Sequence, residues 1–445
     1  MIAKNLDQIF RKFSSRPIPV DELPHYYVST KEARGFTPTS IIQRMFENNV
    51  GIDTHILFAG YRGCGKSTEL NRLQADLEKD FLVVNFSATE ELDVVSIHYI
   101  ELFIVAMEKL FAIAKKENLK ISDEYLKSIT NWIQTKEIQE IKNKYLGSEA
   151  EVGGEGTFTI PLLASFFGKF KASAQVSKSL KSTLTKNIEP KISLLIGHCN
   201  QLIEEIRLNL DKIGKKDMLL IMEDLDKIPI DRAKALFFKY SKQLTQLRIN
   251  CIFTYPIALR HSPLSRTIGG NFRKIFDLPM IKVRQKEDHQ KPDEKGVETM
   301  KNIIRKRMDI TLFDDEKIIN QMIHYSGGCI RDLFTMIQDA TDNALEFERE
   351  KITQQDFDRA YFSLRMEYDN TIADKVENGE VVTSVTEYFD ALVRLVESKT
   401  KMPENTDVVL DLRQNLTILG YNGEGWCDVH PIVRDILIER KKIKS

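Results

Sequence analysis

Short apolar runs alternate with amphipathic helical patterns as far as about residue 283. The runs are rich in β-branched and aromatic residues and are too short for core helices: 56–59, 81–86, 218–222, 249–254 and Lys274 to Val283. Apolar residues at helical spacing lie between them, at about 66–78, 92–116 and 192–210. Continuous apolar strands that alternate with helices are typical of a parallel sheet covered on both faces. The pattern therefore predicts an α/β core built on a parallel sheet.

The pattern changes after a charged linker, Arg284 to Gly296, and becomes helical. Four amphipathic stretches predict an all-α lid at about 297–308, 314–326, 329–347 and 354–366. Thr353 and Asp356 have the spacing of a capping box at the start of the last helix.

The C-terminal part combines two helical stretches, 383–397 and 404–415, with a hairpin pattern. The hairpin pairs 416–421 with 426–430 across Asn422-Gly423, a strong turn signal, and a closing helix begins at Pro431. These elements predict a small winged-helix-like domain. We expect four units: a lead-in segment 1–54, a core 55–290 with an insertion 147–195, a lid 291–372 and the C-terminal domain 373–445.

The first apolar strand runs directly into Gly60-x-x-x-x-Gly65-Lys66-Ser67 and then into a helix. A glycine-rich turn that matches by chance is the alternative, but the strand before and the helix after favour a phosphate-binding loop. Lys66 would neutralise the β and γ phosphates and Ser67 would bind Mg²⁺. The predicted nucleotide-binding residues are Gly60, Tyr61, Arg62, Gly63, Cys64, Gly65, Lys66, Ser67 and Thr68.

Clustered carboxylates follow the strand 218–222: Glu223, Asp224 and Asp226. In Mg–nucleotide chemistry one acid holds the metal and another polarises the attacking water. We predict Glu223 as metal ligand and Asp224 as base, with Asp226 as the alternative. Thr254 ends a strand, and it either positions the attacking water or serves only to end the strand.

Aromatic residues of the lead-in segment offer a place for the base. Tyr26 or Tyr27 could stack on adenine, and an ordinary role as partly buried aromatics is equally open.

Composition limits the partners and the compartment. The chain carries 64 Lys and Arg against 65 Asp and Glu, a net charge of −1, so nucleic-acid binding would need a local patch. Six lysines lie between 169 and 191 against one acid, which indicates either a solvated face or a contact with nucleic acid or protein.

The five cysteines include no C-x-x-C pair, and no apolar run reaches membrane length. Without a signal-peptide pattern, we expect a cytoplasmic protein with no membrane partner.

The order of these motifs resembles the AAA+ and STAND group of P-loop ATPases over about residues 25–440. It is similar in particular to bacterial members with an origin-recognition-like lid and a C-terminal winged helix. The motifs that carry the resemblance are the phosphate loop, Glu223-Asp224-Leu-Asp226-Lys227, Thr254, the arginine-bearing stretch 260–273 and Gly327-Gly328-x-x-Arg331.

The resemblance implies ATP with Mg²⁺, Arg331 as a lid sensor of the γ-phosphate, and a homo-oligomer. It also implies that Arg273, or else Arg266, reaches into a neighbouring subunit's site. The chain departs from the family in having Glu223 before Asp224, where Asp and then Glu are usual. We therefore expect slow or partner-stimulated hydrolysis.

Two functions follow from the resemblance. The first is a self-assembling ATPase switch that acts on DNA or in a defence or mobile-element pathway. The alternative is a STAND-like signalling or scaffold ATPase that recruits a partner protein without touching nucleic acid. A small-molecule kinase fits poorly, because it would not use the lid and the C-terminal domain.

Overall fold

A computed structural model describes residues 2–95, 97–119, 131, 192–377, 379–421 and 425–444. The lysine-rich stretch 169–191 and most of the predicted insertion 147–195 lie outside these residues.

The core is a five-stranded parallel sheet. Its strands are β1 His55–Gly60, β2 Phe81–Ser87, β3 Asp217–Glu223, β4 Asn250–Tyr255 and β5 Lys274–Leu278, in the spatial order β2-β3-β4-β1-β5. All residues of β1, β3 and β4 are buried, as their continuous apolar sequences require. The predicted α/β fold with a parallel sheet is confirmed.

Helices cover the sheet and form the lead-in segment. Those of the lead-in segment are Ile9–Lys12, Leu23–Tyr26, Lys31–Arg34 and Pro38–Asn48. Those of the core are Lys66–Leu77, Ala88–Glu91, Tyr99–Lys116, Ile192–Leu208, Ile230–Lys234, Ser241–Leu244 and Ile257–His261, with a π-helical turn at Ala235–Lys239.

Two core elements differ from the prediction. The helix expected from residue 92 begins at Tyr99, because His98 and Glu101 form a capping box that fixes the start there. The last strand ends at Leu278 rather than Val283. Pro279 has no N–H for the ladder, and the N–H of Met280 donates instead to the carbonyl of Gly420 at 2.9 Å.

The predicted helical lid is confirmed, with helices Glu294–Arg305, Glu316–Tyr325, Ile330–Glu346 and Gln354–Thr371. The first begins three residues earlier than expected, because the Asp293 side chain accepts a hydrogen bond from the N–H of Gly296 at 3.1 Å. The capping box is also confirmed, since the N–H of Thr353 donates to Asp356 Oδ2 at 2.9 Å.

Residues 373–444, called here the C-terminal module, contain the predicted elements and one more. The predicted ones are helices Val385–Glu397 and Asp407–Gln414, strands β8 Ile418–Gly420 and β9 Cys427–Val429, and the closing helix Pro431–Glu439. A second hairpin, β6 Lys375–Glu377 and β7 Glu380–Thr383, was not expected. The winged-helix assignment stays a prediction.

The C-terminal module shares its buried core with the rest of the chain. Leu419, Tyr421 and Trp426 belong to the apolar cluster around the sheet. The module's other buried apolar residues join a second cluster with the lid and the lead-in segment, where Phe13 meets Phe334 edge-on at 5.1 Å. The expected domain boundaries stay predictions. Within the part of the chain that the structure describes, no helix combines the length and apolarity needed to cross a bilayer.

Candidate nucleotide-binding site

One pocket lies between the carboxyl ends of β1 and β3, the lead-in segment and the lid. Several predicted site residues line it: Arg62, Gly63, Gly65, Lys66, Ser67, Thr68, Asp224 and Arg331. The described lining does not include Gly60, Tyr61, Cys64, Glu223, Thr254 or Arg273. The phosphate loop, the two acids Asp224 and Asp226, and the lid arginine are therefore brought together at one pocket.

The phosphate loop has the backbone that its glycines allow. Gly63 and Gly65 have positive φ values of 74° and 94°. A Cβ on Gly63 would lie 2.7 Å from both Cys329 Sγ and Arg331 Cβ. Only glycine therefore lets the first turn of the lid helix Ile330–Glu346 pack on this loop.

Lys66 is held by three acceptors of the protein itself. Its Nζ donates to the carbonyls of Gly60 and Tyr61 at 2.8 and 2.9 Å and forms an ion pair with Asp226 Oδ2 at 2.9 Å. Burial lowers the pKa of Lys66, but Asp226 together with Cys64 outweighs burial, so the pKa is raised overall. Lys66 is therefore a charged group in a buried setting.

Glu223 is buried at the end of β3 beside the phosphate loop. Its carboxylate accepts hydrogen bonds from the Ser67 hydroxyl and from Asn85 Nδ2, the latter at 3.1 Å. Burial raises the pKa of Glu223 to about 7, although these two hydrogen bonds oppose the shift. The contact with Ser67 places this acid next to the predicted metal ligand of the loop.

Asp224 has a left-handed backbone with φ of 65°. Its carboxylate accepts from Ser87 Oγ at 2.6 Å and Thr89 Oγ1 at 3.0 Å, and it pairs with Lys227 Nζ at 2.6 Å. Burial raises the pKa of Asp224, but Lys227 and the two hydroxyls outweigh it and lower the pKa overall. The predicted base is thus engaged by donors of its own loop and of the end of β2.

Thr254 lies behind the acids and is buried. Its Oγ1 accepts from the N–H of Leu225 at 2.9 Å. The side chain therefore supports the turn that carries Asp224 and Asp226, and its role towards the attacking water stays a prediction.

Tyr61 and Cys64 connect the phosphate loop to other parts of the chain. Tyr61 is buried, and its hydroxyl accepts from Arg413 Nη1 of the C-terminal module at 2.7 Å. The carbonyl of Cys64 accepts from Arg34 Nη2.

Arg34 was missed from the sequence. It is buried in the lead-in segment, and its Nε donates to Thr30 Oγ1 at 2.9 Å while Nη2 holds the phosphate loop. Arg34 lies thirty residues before Cys64 and belongs to no motif, so the sequence carried no signal for this contact.

Arg307 was also missed, and it forms part of an aromatic wall of the pocket. Its guanidinium lies 5.5 Å from the ring centroid of Tyr26 and 5.0 Å from that of Phe334. Ile303 and Ile330 line the same wall.

The Tyr27 hydroxyl donates to Glu69 Oε1 at 3.1 Å. Both tyrosines line the pocket, and adenine stacking stays a prediction.

Arg331 and Arg273, the two predicted catalytic arginines, lie at opposite ends of strand β1. The N–H of Arg331 lies 3.4 Å from the carbonyl of Gly63, so Arg331 stands over the loop. Arg273 is exposed, and its N–H donates at 2.8 Å to the carbonyl of His55, where β1 begins. Because β1 and β5 are parallel, Arg273 lies roughly 16 Å from the loop end of β1. Arg266 is exposed as well, in the 3₁₀ turn Pro263–Ile268.

Comparison with known proteins gives structural likeness only. No family model and no curated protein sequence matches the chain. A Walker-type ATPase of Pyrococcus abyssi is 14% identical, with 96% of this chain and 99% of that chain covered and a TM-score of 0.43. Cdc6 of Pyrobaculum aerophilum is 11% identical, with 97% of each chain covered and a TM-score of 0.41. A single-substitution variant of RuvB from Thermotoga maritima is 10% identical, with coverage of 97% and 99% and a TM-score of 0.39. Values this low carry no argument about function.

The residues beside the loop fit a magnesium ion that is shared with a nucleotide. Ser67 and Glu223 provide a hydroxyl and a carboxylate in direct contact. The described ranges contain no group of three or more His, Cys, Asp and Glu side chains arranged to hold a metal. Mg²⁺ commonly takes one or two protein ligands together with phosphate oxygens and water, and Ser67 and Glu223 match that requirement.

Proposed function

We propose that this chain is an AAA+-type P-loop ATPase that binds ATP with Mg²⁺, hydrolyses it slowly, and works as a nucleotide-controlled switch. The observation that carries the proposal is the convergence of Lys66, Ser67 and Arg331 on one pocket closed by the lid and the lead-in segment. A strand, a glycine loop and a helix N-terminus provide the backbone N–H groups that phosphates need.

Each part of the nucleotide has a matching group in this pocket. Lys66 and Arg331 would take the phosphate charge, and Ser67 with Glu223 would hold Mg²⁺. The base would lie against the wall formed by Tyr26, Arg307 and Phe334. Mg²⁺ supplies charge neutralisation on the phosphates when it is bound.

Slow hydrolysis follows from the setting of Asp224. Ser87 and Thr89 donate to its Oδ2 and Lys227 pairs with its Oδ1, so three of about four lone pairs are taken and the carboxylate is a weaker base towards a water. A partner or a neighbouring subunit that moves the end of β2 or Lys227 would therefore accelerate turnover.

Assembly is part of the proposal, because Arg273 is exposed far from the pocket of its own subunit. An arginine in that place can complete only the site of another copy. We expect the mass of the particle, measured by light scattering, to be larger with Mg²⁺ and a non-hydrolysable ATP analogue than with ADP or without nucleotide. A mass that is the same in all three states would contradict assembly under the control of the nucleotide.

The contact of the C-terminal module with the phosphate loop favours a second candidate, the STAND-like scaffold. Arg413 reaches Tyr61 on one side, and His430 Nε2 lies 3.2 Å from Asp332 Oδ2 of the lid on the other. A module attached to the phosphate loop and to the lid would be released or held according to the nucleotide.

DNA binding separates the two candidates, and a role on DNA or in defence stays a prediction. Phosphate contacts lose affinity steeply as salt rises. Titration of duplex DNA at about 50 and 200 mM salt should show salt-dependent binding for the first candidate and none for the scaffold.

A further inference from the structure

Asp226 is the charged partner of Lys66, the residue that would meet a nucleotide phosphate. The three N–H groups of Lys66 Nζ point to the carbonyls of Gly60 and Tyr61 and to Asp226 Oδ2. Of these acceptors only Asp226 carries a charge. A phosphate can therefore gain the full charge of Lys66 only by displacing or sharing this carboxylate.

We propose that Asp226 is a built-in competitor that sets the nucleotide affinity of the pocket by holding Lys66. This inference rests on the proposed function, because it assigns a regulatory residue to the same site.

The other two acids are not placed to compete in this way. Glu223 accepts hydrogen bonds from Asn85 and Ser67, and Asp224 is occupied by Ser87, Thr89 and Lys227. Asp226 is 5% exposed and Lys66 7% exposed, so water screens their attraction poorly.

The turn that carries Asp226 is also anchored, which keeps the carboxylate in place. The N–H of Leu225 donates to Thr254 Oγ1 at 2.9 Å, and the N–H of Lys227 donates to the carbonyl of Asp224 at 3.1 Å. The anchored backbone and the ion pair with Lys66 keep the carboxylate beside the loop, so it would repel an arriving phosphate.

This repulsion has two consequences. Nucleotide without Mg²⁺ should bind weakly, because Asp226 and the phosphates then face each other with little compensating charge. Any partner that pulls the turn 224–227 away from Lys66 should raise affinity, which makes this turn a point of control.

The test is the affinity for ADP, measured by calorimetry in EDTA and again with Mg²⁺. We expect Asp226→Asn to bind ADP about tenfold more tightly than the wild type in EDTA, and to gain less with Mg²⁺. Asp76→Asn is the matched control. It removes one acid that pairs with an arginine, Arg72, on the helix after the loop, and Asp76 does not line the pocket. It should leave the affinity unchanged.

Thermal unfolding shows whether the variant is folded. This control is needed because Asp226→Asn leaves Lys66 buried without its counter-charge. The variant should start from a lower Tm and gain more from saturating ADP than the wild type does. Asp226→Ser should behave in the same way.

If the wild type binds ADP and both variants bind it equally or less tightly, the inference is overturned while the proposed function stands. If no protein of the set binds ADP, the proposed function fails and the inference fails with it.

Discussion

Arg413 donates a 2.7 Å hydrogen bond from Nη1 to the hydroxyl of Tyr61, and so joins the C-terminal module to the phosphate loop. Both side chains are buried. Gly420 of β8 packs against the same ring, since a Cβ there would lie 2.8 Å from the Tyr61 hydroxyl. The second residue of the phosphate loop is therefore held by a residue of the C-terminal module that follows it by 352 positions.

Removing the hydroxyl of Tyr61 should be costly. Tyr61→Phe leaves a buried guanidinium without this acceptor, and we expect the free energy of unfolding to fall by about 1–3 kcal/mol in urea titration. Tyr255→Phe is the matched control. Tyr255 is buried in β4, and its hydroxyl has no hydrogen-bond partner among the described residues, so its removal should cost little. Equal losses in the two variants would contradict the coupling.

The glycine pair before the lid arginine should resist substitution for a steric reason. Gly328 has φ of 84°, and a Cβ there would lie 1.8 Å from the carbonyl oxygen of Ile281. Gly214 has a similar φ of 69° but no atom within 4 Å of the added Cβ. We expect Gly214→Ala to cost about 1–2 kcal/mol from backbone strain alone.

Gly328→Ala should cost several kcal/mol more, or prevent folding, because the backbone of Ile281 must also move. Chemical denaturation of the two variants measures the difference. If the two variants lose a similar free energy of unfolding, the backbone near Ile281 can move away from the added Cβ at no cost, which would contradict this prediction.

The pKa of Glu223 predicts a pH dependence of stability. Burial raises the pKa from 4.5 to about 7, so the folded chain binds this proton more tightly than the unfolded chain. The stability gained from the bound proton is complete below pH 4.5 and is lost as the pH rises to about 7.

Glu223→Gln cannot titrate and should escape this loss. Between about pH 5 and pH 8 its free energy of unfolding, relative to the wild type, should rise by about 2–3 kcal/mol. Asp224→Asn provides the opposite sign at lower pH, because the pKa of Asp224 is lowered and its contribution is lost only as the pH falls below its usual value of 3.8. A constant difference between Glu223→Gln and the wild type across this range would contradict the raised pKa of the buried Glu223.

The strands and lid helices could be predicted because their signals are local. The apolar run 218–222 becomes β3, and the spacing of Thr353 and Asp356 becomes a capping box. The phosphate loop could be predicted for the same reason, since its glycines, lysine and serine are adjacent in sequence.

Contacts between distant residues could not be predicted in this way. The ion pair of Lys66 with Asp226 spans 160 positions, and the support of the loop by Arg34 spans thirty. The orientation of Tyr61 towards the C-terminal module depends on how the chain packs, which no local spacing encodes. The hairpin β6–β7 was missed although the sequence carries a signal for it, because Asn378-Gly379 lies between its two strands as Asn422-Gly423 lies between β8 and β9.

The position of Arg273 predicts that hydrolysis depends on protein concentration. It is exposed at the far edge of the sheet, so a single subunit would lack it at its own site. Arg273→Ala should bind ATP but turn it over poorly, and turnover should return when it is mixed with Lys66→Ala. In that mixture the intact arginine of one variant meets the intact loop of the other.

Arg331 supplies the control for this experiment. It lines the same pocket as Lys66, so Arg331→Ala should not be rescued by Lys66→Ala. Specific activity that does not change with concentration, together with no rescue of Arg273→Ala, would leave Arg273 as an ordinary surface residue.

The central claim is that this pocket binds Mg–ATP through the charge of Lys66, and calorimetric titration of Mg–ATP into the wild type and Lys66→Ala tests it most directly. Lys66 lies within hydrogen-bond distance of Asp226 and of two loop carbonyls, at the point where the phosphates would lie. We expect saturable binding of Mg–ATP to the wild type and none to Lys66→Ala, with both proteins folded by circular dichroism. Equal affinity in the two proteins, or no binding to the folded wild type, would contradict the account.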